Sequence, residues 1–261
     1  MMRCQICNNR TIAIISKERN VSCGDYFVGH RIFPDKIGNI ILSECESCGF
    51  AAFDDLHSWS EEKFRLEIYN DAYHSCDPPF RGERPRKLCR WLSGFLNPCS
   101  VIDYGGGEGV LASMLNQNGF KASSYDRFYG DAIFPSESAD VVTAFEVVEH
   151  VPVQSRLFAE LASLCKKKGI IIFSTLLKPH HLTDDWWYAS PRNGHVSFHT
   201  TESLKLLMHE MNLGYLSLSE EVHVAAHDEG RLSELNLYPS IKINNLPNFA
   251  FINEWDLLQK Q

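Results

Sequence analysis

Short apolar runs of strand length alternate along this chain with segments whose apolar positions recur every three or four residues. That alternation is the pattern of buried strands interleaved with amphipathic helices. Val101-Ile102, Lys121–Tyr125, Ala139–Phe145 and Ile170–Thr175 read as strands, the last entered through Lys168-Gly169. Val110–Leu115 is periodic and meets Asn118-Gly119 as a stop signal. Ser155–Cys165 carries Leu157, Phe158, Leu161 and Leu164 on one helical face, and Thr201–Met211 predicts a further helix. Nearer the start, Thr11–Ser16 and Asn39–Ser43 are strand-like. From Ser60 to about Phe95 the pattern is helical, opening at Ser60-Glu61-Glu62 and broken at Cys76-Asp77-Pro78-Pro79. The order predicts an α/β fold built on a parallel sheet. Only a dozen residues separate Asp126 from Ala139, too few for a helix–strand pair, so one βα unit is expected to be cut short. From Leu232 to Gln261, interrupted by Pro239 and Pro247, no clear element is legible.

The composition narrows the classes. The 261 residues are 44% apolar with a net charge of −8, enough for one α/β domain with a smaller appendage. No lysine or arginine block extends beyond Lys166-Lys167-Lys168, which weighs against a nucleic-acid partner; the one local stretch that could form a basic groove is Arg81–Lys87. No apolar run reaches membrane-spanning length, and Met1-Met2-Arg3-Cys4 lacks the apolar core of a signal peptide. Nine cysteines in an α/β chain suggest a reducing, cytoplasmic location and metal binding over disulfides.

Four of those cysteines have metal-site spacing. Cys4-x-x-Cys7 and Cys45-x-x-Cys48 are separated by 37 residues, and each loop can aim two thiolates at one ion. Together they predict a closed, structural four-cysteine zinc ribbon. Cys23, between the knuckles, is not expected to be a ligand.

The densest chemistry lies at Val101-Ile102-Asp103-Tyr104-Gly105-Gly106-Gly107-Glu108-Gly109, a strand that ends on an acid and enters a glycine turn before a helix. Glycine at Gly105, Gly107 and Gly109 permits positive φ and lets a ligand approach the backbone. The spacing Asp-x-Gly-x-Gly-x-Gly resembles motif I of the class I S-adenosylmethionine (SAM) methyltransferases. The resemblance implies a Rossmann-like sheet with SAM as cofactor. Asp103, the three spaced glycines and Phe145 would line its pocket. Asp126 follows Asp103 by 23 residues, the distance at which an acid commonly binds ribose hydroxyls. The shortened βα unit leaves the adenine wall open, with Asp131-Ala132-Ile133-Phe134 as a substitute.

Glu146-Val147-Val148-Glu149-His150 follows at the carboxyl end of a buried strand, where paired carboxylates and an imidazole are costly unless used or paired. Its Glu-x-x-Glu-His form resembles the metal site of small-RNA 2′-O-methyltransferases and ubiquinone-type O-methyltransferases. That resemblance implies Mg²⁺, Mn²⁺ or Fe²⁺ on Glu146, Glu149 and His150. Further on, Arg192-Asn193-Gly194-His195-Val196-Ser197-Phe198 resembles the Tyr-x-Glu-His-x-Ser segment of sugar C-methyltransferases that share the amino-terminal zinc module. There the histidine is a general base, so His195 is a candidate base, or else a fourth cation ligand. Arg192 and Gly194 depart from that pattern, which favours O- over C-methylation. Trp186, Trp187 and Tyr188 are candidates for a substrate wall, and Tyr69 and Tyr73 for a lid.

The expected organisation is a zinc ribbon (1–58), a helical linker or lid (59–97), a SAM-dependent methyltransferase domain (98–231) and a tail (232–261). The tail could finish the sheet, cover the cleft or mediate a homodimer. The expected function is O-methylation of a small polar acceptor, a nucleotide-linked sugar or related surface-glycan or natural-product precursor. Alternatives are C-methylation of a keto-deoxysugar, RNA 2′-O-methylation, or a non-catalytic zinc-ribbon binding module.

Overall fold

The computed structural model describes residues 3–76, 83–130 and 133–236. The amino-terminal part contains β1 (Thr11–Glu18), α1 (Cys23–Val28), β2 (Asn39–Cys45), β3 (Ala51–Phe53) and α2 (Asp54–His57). A linker follows with α3 (Glu61–Glu67), a 3₁₀ turn at Tyr73–Ser75 and α4 (Glu83–Phe95). Next come β4 (Ser100–Tyr104), α5 (Val110–Gln117), β5 (Lys121–Tyr125), β6 (Ala139–Ala144), α6 (Gln154–Leu164) and β7 (Cys165–Ser174). The chain continues through β8 (Ser197–Phe198), α7 (Thr201–Glu210), β9 (Gly214–Ser217), β10 (Val222–Ala226) and α8 (Glu229–Asn236).

Among the described residues, six strands form the large sheet in the order β5-β4-β6-β7-β10-β9. β5, β4, β6 and β7 run parallel, and β10 pairs antiparallel with both β7 and β9. Successive strand residues face opposite sides, so each strand feeds two cores. Val101, Val141, Ile170 and Ile172 meet Leu88, Leu92, Leu111 and Leu115 of α4 and α5. Ile102, Val142, Ile171 and Phe173 meet Leu157, Phe158 and Leu161 of α6 and Leu204 and Leu207 of α7. Helices cover both faces, which gives the α/β architecture expected from the alternating pattern. Between Tyr125 and Ala139 no helix or strand occurs among the described residues, leaving β5 at the sheet's edge.

The second sheet has the order β1-β2-β3-β8. Its first three strands are amino-terminal, but its fourth comes from residues 197–198, deep in the carboxyl half. No described helix is long and apolar enough to cross a membrane. The roles raised for the tail fall largely outside the described residues; the described part of it contains only the end of α8.

Phe158 is fully buried and packs edge-on against Phe173, with ring centroids 5.1 Å apart. Phe158→Ala is expected to cost about 3–5 kcal/mol, read as a lowered denaturation midpoint in urea at an unchanged slope.

Candidate active site

The glycine corner sits where β4 ends. Gly105, Gly107 and Gly109 have φ of 75°, 55° and 76°, a region that side chains resist. Close packing adds a second demand. A Cβ on Gly105 would lie 2.3 Å from Val147 Cγ2, and one on Gly106 would lie 2.4 Å from both Asp103 Oδ2 and Ser124 Oγ. Gly109 serves as the amino-terminal cap of α5. Asp103 is buried and accepts a hydrogen bond from Thr143 Oγ1 at 2.7 Å. Burial, assisted by the nearby Asp126 carboxylate, pushes its pKa up to about 7. Asp126, at the end of β5, accepts from Gly107 N at 3.0 Å and Phe128 N at 2.8 Å, tying the glycine loop to the neighbouring strand.

A cleft of about 350 Å³ opens over this corner. Asp103, Gly105, Gly107, Asp126 and Phe145 line it, together with Glu146, His150, Tyr69 and Tyr73. Its aromatic wall is completed by Trp59, Phe64, Phe128 and Tyr129, and its polar rim by Arg84 and Arg156. Sequence reasoning passed over five of these six; Arg84 belongs to the basic stretch Arg81–Lys87. The signal for Phe128 and Tyr129 was their position just after the acid that ends β5. They stand where Asp131–Phe134 was considered. Asp131 and Ala132 lie outside the described residues, Ile133 is 80% exposed, and Phe134 packs on Tyr125 away from the cleft.

The linker closes the cleft from above. Arg65 of α3 donates to the carbonyls of Arg127 and Phe128, while Arg127 pairs with both Glu61 and Glu160. Tyr69 stacks at 4.5 Å on Phe128 and meets Tyr73 edge-on at 5.1 Å. Arg81 lies outside the described residues, and Arg86 of the basic stretch pairs with Glu83 at 3.2 Å.

Beyond β6 the backbone turns sharply. Glu146 has φ of 55°, a left-handed conformation that costs a side-chain-bearing residue about 1–2 kcal/mol. Ser174 at the end of β7 holds it there: Glu146 N donates to Ser174 Oγ at 2.7 Å, and that hydroxyl donates to Glu146 Oε1 at 2.9 Å. A 3₁₀ turn over Val148–His150 follows. Glu149 is fully buried, and neither carboxylate oxygen has a hydrogen-bond partner. His150 Nε2 lies 3.6 Å from Glu149 Oε1, and His150 Nδ1 meets Tyr69 OH at 3.2 Å. His195 stacks edge-on against His150 with ring centroids 4.8 Å apart. Its Nδ1 bonds the Tyr188 carbonyl at 2.6 Å. A carbonyl only accepts, so Nδ1 carries the proton and Nε2 keeps its lone pair.

Ligand atoms of Glu149, His150 and His195 lie within 4.8 Å of one another. Glu146 is not part of that trio; its carboxylate lines the cleft instead. Burial, with the Glu146 carboxylate adding to it, pushes Glu149 well above the ordinary carboxylate range. Burial also holds His150 well below the usual imidazole value and takes His195 down to about 4. Both rings are therefore neutral donors at physiological pH. His195 is 3% exposed and stands behind His150, which alone of the trio reaches the cleft.

Gly194 and Arg192 acquire physical reasons here. Gly194 has φ of 84°, and a Cβ there would meet Ile68 Cγ2 and Tyr69 OH at 3.0 Å and His150 Nδ1 at 3.3 Å, so a side chain would be strained and would crowd that pair by a few tenths of an ångström. Arg192 is buried and donates to Ile68 O and Asn70 Oδ1, stapling the His195 segment to the linker. Trp186, Trp187 and Tyr188 do not line the cleft. Trp186 and Tyr188 pack on Phe198, and Trp187 packs on Phe27 and Tyr188.

The four cysteine sulfurs also converge within 4.8 Å. Cys4 and Cys48 are 3.6 Å apart and Cys7 and Cys45 3.4 Å apart, with no disulfide among the described residues. A tetrahedron with ~2.3 Å metal–sulfur bonds has edges of roughly 3.8 Å, close to this spacing. A hydrogen bond from Cys48 draws Cys4 down to about 5, towards the thiolate a metal needs. Cys23 is buried at the start of α1, its N–H held by Asn193 Oδ1 at 2.8 Å, and stands apart from the sulfur group.

Residues 80–218, just over half of the chain, match the family model described as a methyltransferase domain. No curated protein matches significantly. Among solved structures, magnesium protoporphyrin IX methyltransferase from Synechocystis PCC 6803 with bound SAH is similar over 56% of this chain and 83% of its own, at 18% identity and a TM-score of 0.41. An O-methyltransferase family protein from Burkholderia thailandensis is similar over 62% of this chain and 61% of its own, at 14% identity and a TM-score of 0.47. Human N-acetylserotonin methyltransferase in complex with SAM is similar over 54% of this chain and 51% of its own, at 18% identity and a TM-score of 0.42. The likeness is partial in each case.

Asp103 yields a direct test. Its raised pKa leaves it substantially protonated below about 7, and a cationic sulfonium ligand favours the ionised form. SAM affinity measured by calorimetry is expected to rise between pH 5.5 and 7, by up to about tenfold per unit, and then level off. In Asp103→Asn the affinity should be low and flat over that range.

Proposed function

The chain belongs to the methyltransferase-domain family and is a SAM-dependent methyltransferase; we propose that it O-methylates a small polar acceptor with the help of a divalent cation held by Glu149, His150 and His195. The carrying observation is the Glu149 carboxyl group, fully buried with neither oxygen in a hydrogen bond of normal length and with two neutral imidazoles within 4.8 Å. A bare buried carboxylate is costly, and a hard dication is the group that a carboxylate and two imidazoles suit. Bound there, Mg²⁺, Mn²⁺ or Fe²⁺ would supply Lewis-acid activation of the acceptor hydroxyl.

The remaining work falls to the chain's own side chains. SAM carries the methyl on a sulfonium, and the protein's task is to hold the acceptor oxygen in line behind it. The bare backbone of Gly105–Gly107 admits the cofactor, Asp126 faces its ribose, and Asp103 faces its positive charge. Phe128 and Tyr129 take the place of the missing βα unit as a wall for the adenine. His150 presents its ring at the cleft wall, while Tyr69 OH and His195 fix its orientation. Glu146, held out by Ser174, supplies a carboxylate on the acceptor side. Without a cation, His150 is the imidazole placed to take the acceptor's proton, with His195 orienting it from behind.

Aromatic rings at Trp59 and Tyr73 with guanidinium groups at Arg84 and Arg156 suit a sugar carrying phosphate, so we assign a nucleotide-linked sugar or related glycan or natural-product precursor as acceptor class. O-methylation is preferred to C-methylation because His195, the base that the C-methylating reading requires, stands behind His150. The sulfur tetrad fits a structural zinc, whose role there is to fold a module too small to do so alone.

Metal analysis of the purified protein should find one zinc per chain, lost in Cys45→Ser. Mn²⁺ titration followed by electron paramagnetic resonance should then show a second site, weakened about tenfold or more by Glu149→Gln or His195→Asn while SAM still binds. Equal Mn²⁺ binding by wild type and both variants would overturn the cation and leave His150 as base.

A further inference from the structure

We infer that the four-cysteine module is a positioning element of the active site, with Gln5 and strand β3 setting the Glu149–His150 turn and the His195 segment in register with each other. Both segments are weak by themselves. A 3₁₀ turn of three residues has poor hydrogen-bond geometry, and a two-residue strand cannot stand alone. Each is held by bonds that originate in the module.

The turn is wrapped by Gln154, fully buried, whose Nε2 donates to Val148 O at 2.8 Å and Val151 O at 2.6 Å. Gln5, inside the first Cys-x-x-Cys loop, accepts from Gln154 N at 3.0 Å and donates to Pro152 O at 2.9 Å. Its place is set by the sulfur cluster on either side of it. The His195 segment is held from the second knuckle's side. β3 pairs with β8 at Ala51–Phe198 and Ala52–Ser197, and Phe53 N donates to Val196 O at 3.0 Å. Thr200 Oγ1 donates to Cys48 O at 2.6 Å. The two segments then meet: Val196 N donates to Glu149 O at 2.7 Å and Ser197 Oγ to Val151 O at 3.0 Å. The module thus grips the backbone beside each imidazole, while the glycine corner takes its bonds from β5. Displacements near 1 Å at such a group are felt strongly in catalysis, so Gln5 acts as a positioning residue through His150.

The test uses the full-length protein with its metals as purified. Gln5→Leu removes both bonds at similar volume, and Gln5→Glu keeps the acceptor for Gln154 N. Nitrogen–proton correlation spectra of the His150 and His195 rings are the primary readout, with SAM calorimetry as the control. Gln5→Leu is expected to shift or broaden both ring signals, and to weaken Mn²⁺ binding about tenfold, at unchanged SAM affinity. Gln5→Glu should restore part of the wild-type spectrum. Ring signals in Gln5→Leu that superimpose on wild type would overturn the inference. Should Gln5→Leu fail to fold, Gln5→Glu decides: it removes only the bond to Pro152 O and should shift the same signals by less, and unchanged signals would again overturn the idea. Failure of Mn²⁺ to bind wild type would sink the cation but leave the ring spectra fully diagnostic.

Discussion

Val196 is bonded on both edges. Its N–H goes to Glu149 O and its carbonyl receives Phe53 N–H, so one residue joins the cysteine module to the acid turn. Backbone hydrogen bonds inside a protein have little positional slack. This residue brings segments 143 or more positions apart in the chain, from Phe53 to Val196 outward, into one sheet. His195 precedes it, and the bond to Glu149 O fixes how closely that imidazole approaches His150. The trio exists because β8 completes the amino-terminal sheet.

A second constraint acts at the end of β6. A left-handed Glu146, latched by Ser174, sends one carboxylate into the cleft and commits the next turn to bury the other. Strain of this kind persists where surrounding structure over-determines it. Here Ser174, Gln154 and Val196 each take part of the turn. The buried Glu149, pushed towards its neutral acid, and its two neutral histidines are thus held close together, while Asp103 and Asp126, both raised by burial, stand at the neighbouring glycine corner. One cleft therefore joins the glycine corner, with its two carboxyl groups, to a buried trio of which His150 alone reaches the wall.

The linker adds closure. Arg65 and Arg127 tie α3 to the loop after β5, so the aromatic residues Phe64 and Tyr69 lie over the loop that carries Asp126. The edge left open by the missing βα unit is covered by chain from outside the main sheet. Arg192 reinforces this from the other side by holding the linker's Ile68 carbonyl.

Much of the fold was legible from the chain alone, because its signals are local. Apolar runs at Ala139–Ala144 and Ile170–Phe173, helical spacing at Leu157, Phe158 and Leu161, and the glycine turn after Asp103 each declare themselves within a few residues. The shortened unit between Asp126 and Ala139 was legible for the same reason, as a length. β9 and β10 were not read, since short antiparallel strands depend on their partners more than on their own pattern. β3, only three residues long, escaped notice likewise. The residue types of the site were visible in Glu146, Glu149, His150 and His195, but their geometry was not. Only tertiary structure could decide that Glu146 leaves the trio, that His195 stands behind His150, and that Trp186, Trp187 and Tyr188 pack away from the cleft. Those outcomes rest on contacts between segments far apart in sequence, and no local pattern encodes the distance between them.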